Sequence, residues 1–213
     1  MNVPPVPRRN TTHDWARTVD VDHLSQIRRH SAEFAPGGVR HLILEVLAYA
    51  ADEAECNDGG RCSVALHPDG SVSVSDDGRG TATGINDQGT VVRKPVMTTK
   101  DLRFFDLADA ELLPDGHPRR GISVVAALSE WLVHTNRRLE GAWTQRYELG
   151  IPVADLQLIA ADGHTGTTVH FRPDRALRAV DGPAIDELER FAESWPHLSV
   201  HVVDGESGNK PTR

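Results

Sequence analysis

Glu45 stands inside the run His41-Leu-Ile-Leu-Glu-Val-Leu-Ala-Tyr-Ala-Ala-Asp-Glu-Ala-Glu55, with Leu44, Val46 and Leu47 around it and Tyr49 one turn later on the same helical face. Such a carboxylate is an exposed helix residue, a salt-bridge partner, or a partly desolvated group able to take a proton. A second acid, Asp76, ends an alternating stretch in Ser-Asp-Asp-Gly-Arg-Gly, where Gly78 and Gly80 permit positive or crowded backbone angles. Taken alone, Asp-Asp-Gly reads as a solvated hairpin turn. Arg119 and Arg120 precede Gly121 at the start of a helical pattern, so two guanidinium forks beside a helix N-terminus could hold an anion. The same segment, PDGHPRRG, also has the composition of a mobile loop.

These groups depend on the elements that carry them. After the Gly37-Gly38 break, Leu42, Ile43, Val46, Leu47, Ala50 and Ala54 recur at helical spacing. Period-two alternation on both sides of Asp69-Gly70 predicts a hairpin of Ser63 to His67 and Ser71 to Ser75. Residues 81 to 117 read as mostly irregular, with room for one short helix. From Gly121 the pattern is helical through about Ser129 and becomes a strand near Leu132 to Asn136. AWTQRYELG, TGTTVHFRPD and LSVHVVDG read as strands, Leu156 to Ala160 as a further one, and AIDELERFAESW as a helix after Pro183. Helices on one face of a mixed, mostly antiparallel sheet make an α+β two-layer sandwich. Pro-rich and polar composition predicts a flexible arm over residues 1–18 and a flexible tail over 206–213, leaving 19–205 as one domain.

The 213 residues are 38% apolar, enough for one core. With 31 acidic and 23 basic residues the formal net charge is -8, which offers no general attraction to nucleic acid or an anionic membrane. Cys56 and Cys62 are too few for a disulfide framework; they read as free thiols, although a single bridge between them is sterically conceivable. No apolar run approaches the ~18 residues of a membrane span, and the N-terminus has no signal-peptide core. The expectation is a cytoplasmic protein.

Five blocks, in order and with compatible spacing, carry a likeness to a known family: HLILEVLAYAADEA, DGSVSVSDDGRGTATGI, PVMT, GISVVAALS with YELGIPV, and GTTVHFRPD. Together they resemble the ATP-binding domain of the DNA gyrase B subunit and of the GHKL ATPases generally, from about Asp22 to Asp204. The resemblance implies a Bergerat-type fold that holds ATP under a flexible lid. It implies that Asp76 accepts a hydrogen bond from the adenine amino group and that Thr167 supports it through a bound water. It implies too that Glu45 orients water against the γ-phosphate as general base, and that Glu53 and Arg79 pair at the mouth. Only the ATPase part of the gyrase subunit is covered, so a stand-alone domain that is no topoisomerase by itself is expected.

The chain departs from the family on the phosphate side. Tyr49 stands where the family has an Asn that binds Mg²⁺, and a neutral phenol is a poor ligand for a hard cation. The Gly-rich lid becomes DGHPRRGISVV, in which Gly116 and Gly121 survive, Arg119 takes the middle glycine position and Pro118 removes a donor. Phe104 and Phe105 fall near the place of the lid lysine. Tyr49, Arg119, Arg120 and Gly121 then border the phosphates, with the arginines standing in for the metal. The reading that follows is a regulatory domain that binds ATP or ADP, uses Mg²⁺ weakly or not at all, and hydrolyses little or nothing. An active Mg²⁺-dependent ATPase, or an interaction module whose pocket is plugged by Tyr49 and Phe105, are the alternatives. No direct nucleic-acid or membrane partner is expected, an unknown protein partner is allowed, and the chain should be a monomer or weak homodimer.

Overall fold

The chain opens with helix α1 (Val21–Arg29), started by Asp20, whose side chain accepts a hydrogen bond from the His23 amide, and ended by Arg28 and Arg29 in its last turn. The computed structural model describes residues 19–81, 83–85, 91–93, 96–105, 110–178 and 182–205; the expected arm (1–18) and tail (206–213) lie outside these. A short α2 (Ser31–Phe34) follows, then α3 (Val39–Cys56), the long helix that carries Glu45. Nearly every side of α3 is buried, which explains why its sequence is apolar almost all round rather than along one stripe.

The hairpin β1 (Gly60–Leu66) and β2 (Val72–Asp76) forms where the alternation placed it, and β3 (Thr83–Ile85) pairs with β4 (Val91–Arg93) in a separate two-stranded ladder. One turn of helix, α4 (Leu102–Phe105), lies in the mostly irregular stretch that had room for one short helix. Next come α5 (Ile122–Ala127), β5 (Ser129–Arg138), β6 (Gly141–Glu148), β7 (Ile151–Pro152), β8 (Gln157–Ile159) and β9 (Gly166–Pro173). The chain closes with α6 (Arg175–Arg178), α7 (Ile185–Ala192) and β10 (Leu198–Asp204).

The main sheet runs β10-β1-β2-β9-β5-β6-β7, with β8 on β6; β1 and β10 are parallel and the other pairs antiparallel. Its registers align two apolar rows on one face. Val202, Val64, Val74, Val169 and His134 make one, and Leu66, Val72, Phe171, Leu132 and Tyr147 the other. The opposite face presents Ser73, Ser75, Thr135, Thr168 and His170, so the helices cover a single face. This is the α+β two-layer arrangement the sequence predicts. Each fully buried Leu, Val or Phe in those rows contributes roughly 1.5–3 kcal/mol. Cys56 and Cys62 are both free, the first exposed and the second buried beneath α3. Among the described residues, no helix is long and apolar enough to cross a membrane.

Candidate functional site

Between α3, the ends of β2 and β9, and the segments around Met97 and Arg119 lies a cleft of about 890 Å³. Asp76 and Thr167 line it, as do the apolar Val46, Ala50, Met97 and Val169. Asp76 is the last residue of β2; its Oδ1 accepts the Gly78 amide at 2.9 Å, and the backbone N–H of Thr167 also donates to its carboxylate. Burial raises the Asp76 pKa despite these donors. The Thr167 amide makes this link from a position one residue beyond the β2–β9 pair Ser75 and Thr168.

The turn after Asp76 is held from three sides. A Cβ on Gly78 would meet the Glu53 side chain at 2.6 Å, and one on Gly80, at φ +75°, would meet Asn136 Oδ1 and the Arg137 carbonyl at 2.6 Å. Only glycine fits either place. Buried Asn136 accepts the Thr81 amide at 2.8 Å and donates to the Thr81 carbonyl at 2.9 Å, pinning the loop to β5. Glu53 and Arg79 meet as a two-pronged pair, 2.7 and 3.0 Å, with a further 3.0 Å bond from the Arg79 amide. The pair holds the Glu53 carboxyl below the usual range, although Arg79 is too exposed for much net stability.

Outside the cleft lining, on α3, Glu45 has 0% exposure. Its two oxygens accept the amides of Arg120 at 2.6 Å and Gly121 at 2.8 Å, the residues that lead into α5. His41, one turn before it on α3, places Nε2 3.5 Å from Glu45 Oε1, too long for a good hydrogen bond, and Nδ1 2.7 Å from Asp115 Oδ2. Burial alone would lower the His41 pKa, but the two carboxylates outweigh it and raise it to about 9, so the ring is cationic. Tyr49 donates its hydroxyl to Asp101 at 3.0 Å and accepts the Ile122 amide at 3.3 Å. Burial, then the Asp101 charge, push the phenol pKa further up, and it stays protonated.

Arg119 is 1% exposed and lies over the rings of Tyr49 and Phe104, 4.8 and 4.4 Å from their centroids. It forks onto Asp52 at 3.0 and 2.7 Å and reaches Glu111 at 3.0 Å. Arg120 donates to the Phe104 carbonyl at 3.0 Å. Both arginines are thus engaged by the protein itself, which sets aside the alternative of a solvated loop; the side chains expected to stand in for the metal at the phosphates are bonded to Asp52, Glu111 and the Phe104 carbonyl. Phe104 lines the cleft; Phe105, a plug only in the interaction-module alternative, packs on Phe34 and His23 at 5.8 and 4.6 Å.

Asp76, Thr167, Gly80, Glu53, Arg79, Tyr49 and Arg119 come together around one cleft, while Glu45 and Gly121 lie behind its wall. Sequence reasoning missed His41, Asp52, Asp101, Asp115, Asn136 and Gly166. His41 was recoverable from its i, i+4 spacing to Glu45, and Asn136 from its inward parity with Leu132 and His134 on β5. A Cβ on Gly166 would collide with the Asp76 carbonyl, a constraint that only the paired strands reveal. Chemically, the Asp76 end offers a carboxylate acceptor between apolar walls, suited to a flat ring with one exocyclic N–H donor.

No family model matches the chain. It is 34% identical over 180 residues to the DNA gyrase B subunit of Thermotoga maritima, covering 82% of this chain and 28% of that protein. It is 34% identical over 172 residues to the DNA topoisomerase 4 B subunit of Bacillus subtilis, covering 78% and 26%. With the DNA gyrase B subunit of Streptomyces coelicolor it shares 35% identity over 212 residues, covering 95% and 31%. The chain thus spans less than a third of the length of these relatives.

Proposed function

Because the chain belongs to the GHKL (Bergerat) family, as a divergent relative of the B subunits of DNA gyrase and DNA topoisomerase 4, we propose that its cleft holds an adenine nucleotide by the base and hydrolyses it weakly or not at all. Asp76 accepts the exocyclic amino group, Val46, Ala50 and Val169 flank the ring, and Gly78 and Gly80 keep the adjoining turn close to it. Guanine presents a carbonyl where adenine has that amino group, so the same carboxylate rejects it.

The observation that carries the hydrolysis half is the engagement of Glu45. A general base must reach a water within hydrogen-bond distance, yet both Glu45 oxygens cap the start of α5 and the side chain has no exposure. The residues present do not fit Mg²⁺ either. Tyr49 is a protonated phenol that already donates to Asp101, and a divalent ion there would need compact anionic or carbonyl oxygens. A domain that binds without turnover acts through occupancy, which makes its role regulatory, exerted on a protein partner.

Titration with AMP, ADP and ATP, with and without Mg²⁺, coupled to an assay of phosphate release, tests this reading. Saturable binding of at least one of them, indifferent to Mg²⁺ and without release, is the expected result. Mg²⁺-dependent turnover would restore Glu45 as a working base. Silence towards every adenine nucleotide would leave only the scaffold.

A further inference from the structure

Among the described residues, the amides at the start of α5 and the guanidiniums lining the cleft are already bonded within the protein. The Arg120 and Gly121 amides go to Glu45, and the Ile122 amide goes to the Tyr49 hydroxyl. A carboxylate from α3 therefore sits where an anion would meet the start of α5, and a second anion has to displace it.

The guanidiniums lining the cleft are committed as well. Arg119 is held by Asp52 and Glu111, Arg103 by Asp101 at 3.0 and 2.7 Å, and Arg79 by Glu53. Arg138 donates to the Gly80 carbonyl at 3.0 Å and reaches Glu140 at 3.2 Å. Meanwhile the Asp52 and Glu111 side chains are 42% and 52% exposed while the one guanidinium they share, Arg119, is 1% exposed, so at this pair the carboxylates face incoming solute. The exposed cations Arg103 and Arg79 are each paired with a carboxylate of their own. A ligand with three phosphates enters against fixed carboxylates and finds its donors taken, whereas the base-binding end makes no demand on charge.

Resting on the adenine reading above, we propose that the cleft selects phosphate-poor adenine ligands, adenosine and AMP, over ATP. Affinity falls with each added phosphate. The loss is largest at low salt, where like-charge repulsion reaches furthest, and shrinks as salt screens it.

Calorimetric titration of the full chain in EDTA with adenosine, AMP, ADP and ATP, at low and high salt, tests the proposal. ATP should bind at least about tenfold more weakly than adenosine at low salt, with the gap narrowing at high salt. Glu111→Gln, a half-exposed substitution, should narrow the adenosine-to-ATP gap by about threefold by removing one repelling charge. ATP binding as tightly as adenosine in the parent, with both weakened by Asp76→Asn, would overturn the phosphate preference and leave the adenine site standing. Absence of binding by all four would overturn both.

Discussion

His41 illustrates how one buried side chain couples two segments and a pH response. Its ring lies between Glu45 and Asp115, whose other oxygen accepts the His117 amide at 3.1 Å. The folded pKa is raised from 6.5 to about 9, so the stabilisation is fully present below pH 6.5 and is lost as pH rises towards 9. It amounts to something on the order of 3 kcal/mol. Asp115 moves the other way: burial opposes the shift, but the His41 cation outweighs it and lowers the carboxyl, so that contribution disappears as acid protonates it. Melting temperature should therefore fall between pH 6.5 and 9, and ring NMR shifts should report an imidazolium at neutral pH. A ring titrating at or below 6.5 would contradict this. Arg119 gives a second prediction at this scale. Arg119→Ala removes a buried fork and its aromatic stack, which should cost about 3 kcal/mol by denaturant unfolding, and Lys should not rescue it for want of the fork. An unchanged midpoint would mean that the stack contributes nothing. The position of Glu45 in a helix was legible from its neighbours; its partners were not, because the Arg120 and Gly121 amides lie 75 and 76 residues away in sequence.

At the scale of elements, the readable features were those with strong local periodicity. The β1–β2 hairpin, α3, β9, α7 and β10 fall on the expected segments because alternation and apolar spacing act within a few residues. Helix α1 went unread although Asp20 caps it and Leu24 and Ile27 face the core at i, i+3; its mean composition is polar, and only packing makes it stable. Helix α5 ends at Ala127 because the chain turns at Leu128 into β5, and its first amides are satisfied by α3 rather than by a local cap. The β6–β7 connection makes a testable case. Leu149 and Gly150 form a two-residue loop with φ of 49° and 82°, both positive, as a type I′ turn requires. Leucine is strained there by roughly 1–2 kcal/mol. Leu149→Asn should relieve part of that strain and raise the melting temperature by about 2–4 °C. A lower melting temperature would show that the half-exposed Leu149 side chain stabilises more by packing than the turn loses.

For the whole molecule, the sheet joins two ends of one cleft with different chemistry. The Asp76 end is built from β2, β9 and the loop pinned by Asn136, and keeps a carboxylate turned towards apolar walls. The opposite end, built from α3, α4 and the approach to α5, is closed by its own ion pairs. The first half was readable as a motif, since Asp76, Gly78 and Gly80 are contiguous. The second was readable only as a set of odd residues, because the pairing of Tyr49 with Asp101 and of Arg119 with Asp52 and Glu111 emerges from tertiary packing. The central claim is that Asp76 selects adenine, and the most direct measurement is calorimetric titration of adenosine and guanosine into the parent and into Asp76→Asn. Exchanging an acceptor-only carboxylate for an amide leaves a buried mismatch worth roughly 1–3 kcal/mol. The account predicts saturable binding of adenosine alone by the parent, weakened about fivefold to a hundredfold in Asp76→Asn. Equal adenosine affinity in the two proteins, or guanosine binding as well as adenosine, would contradict it.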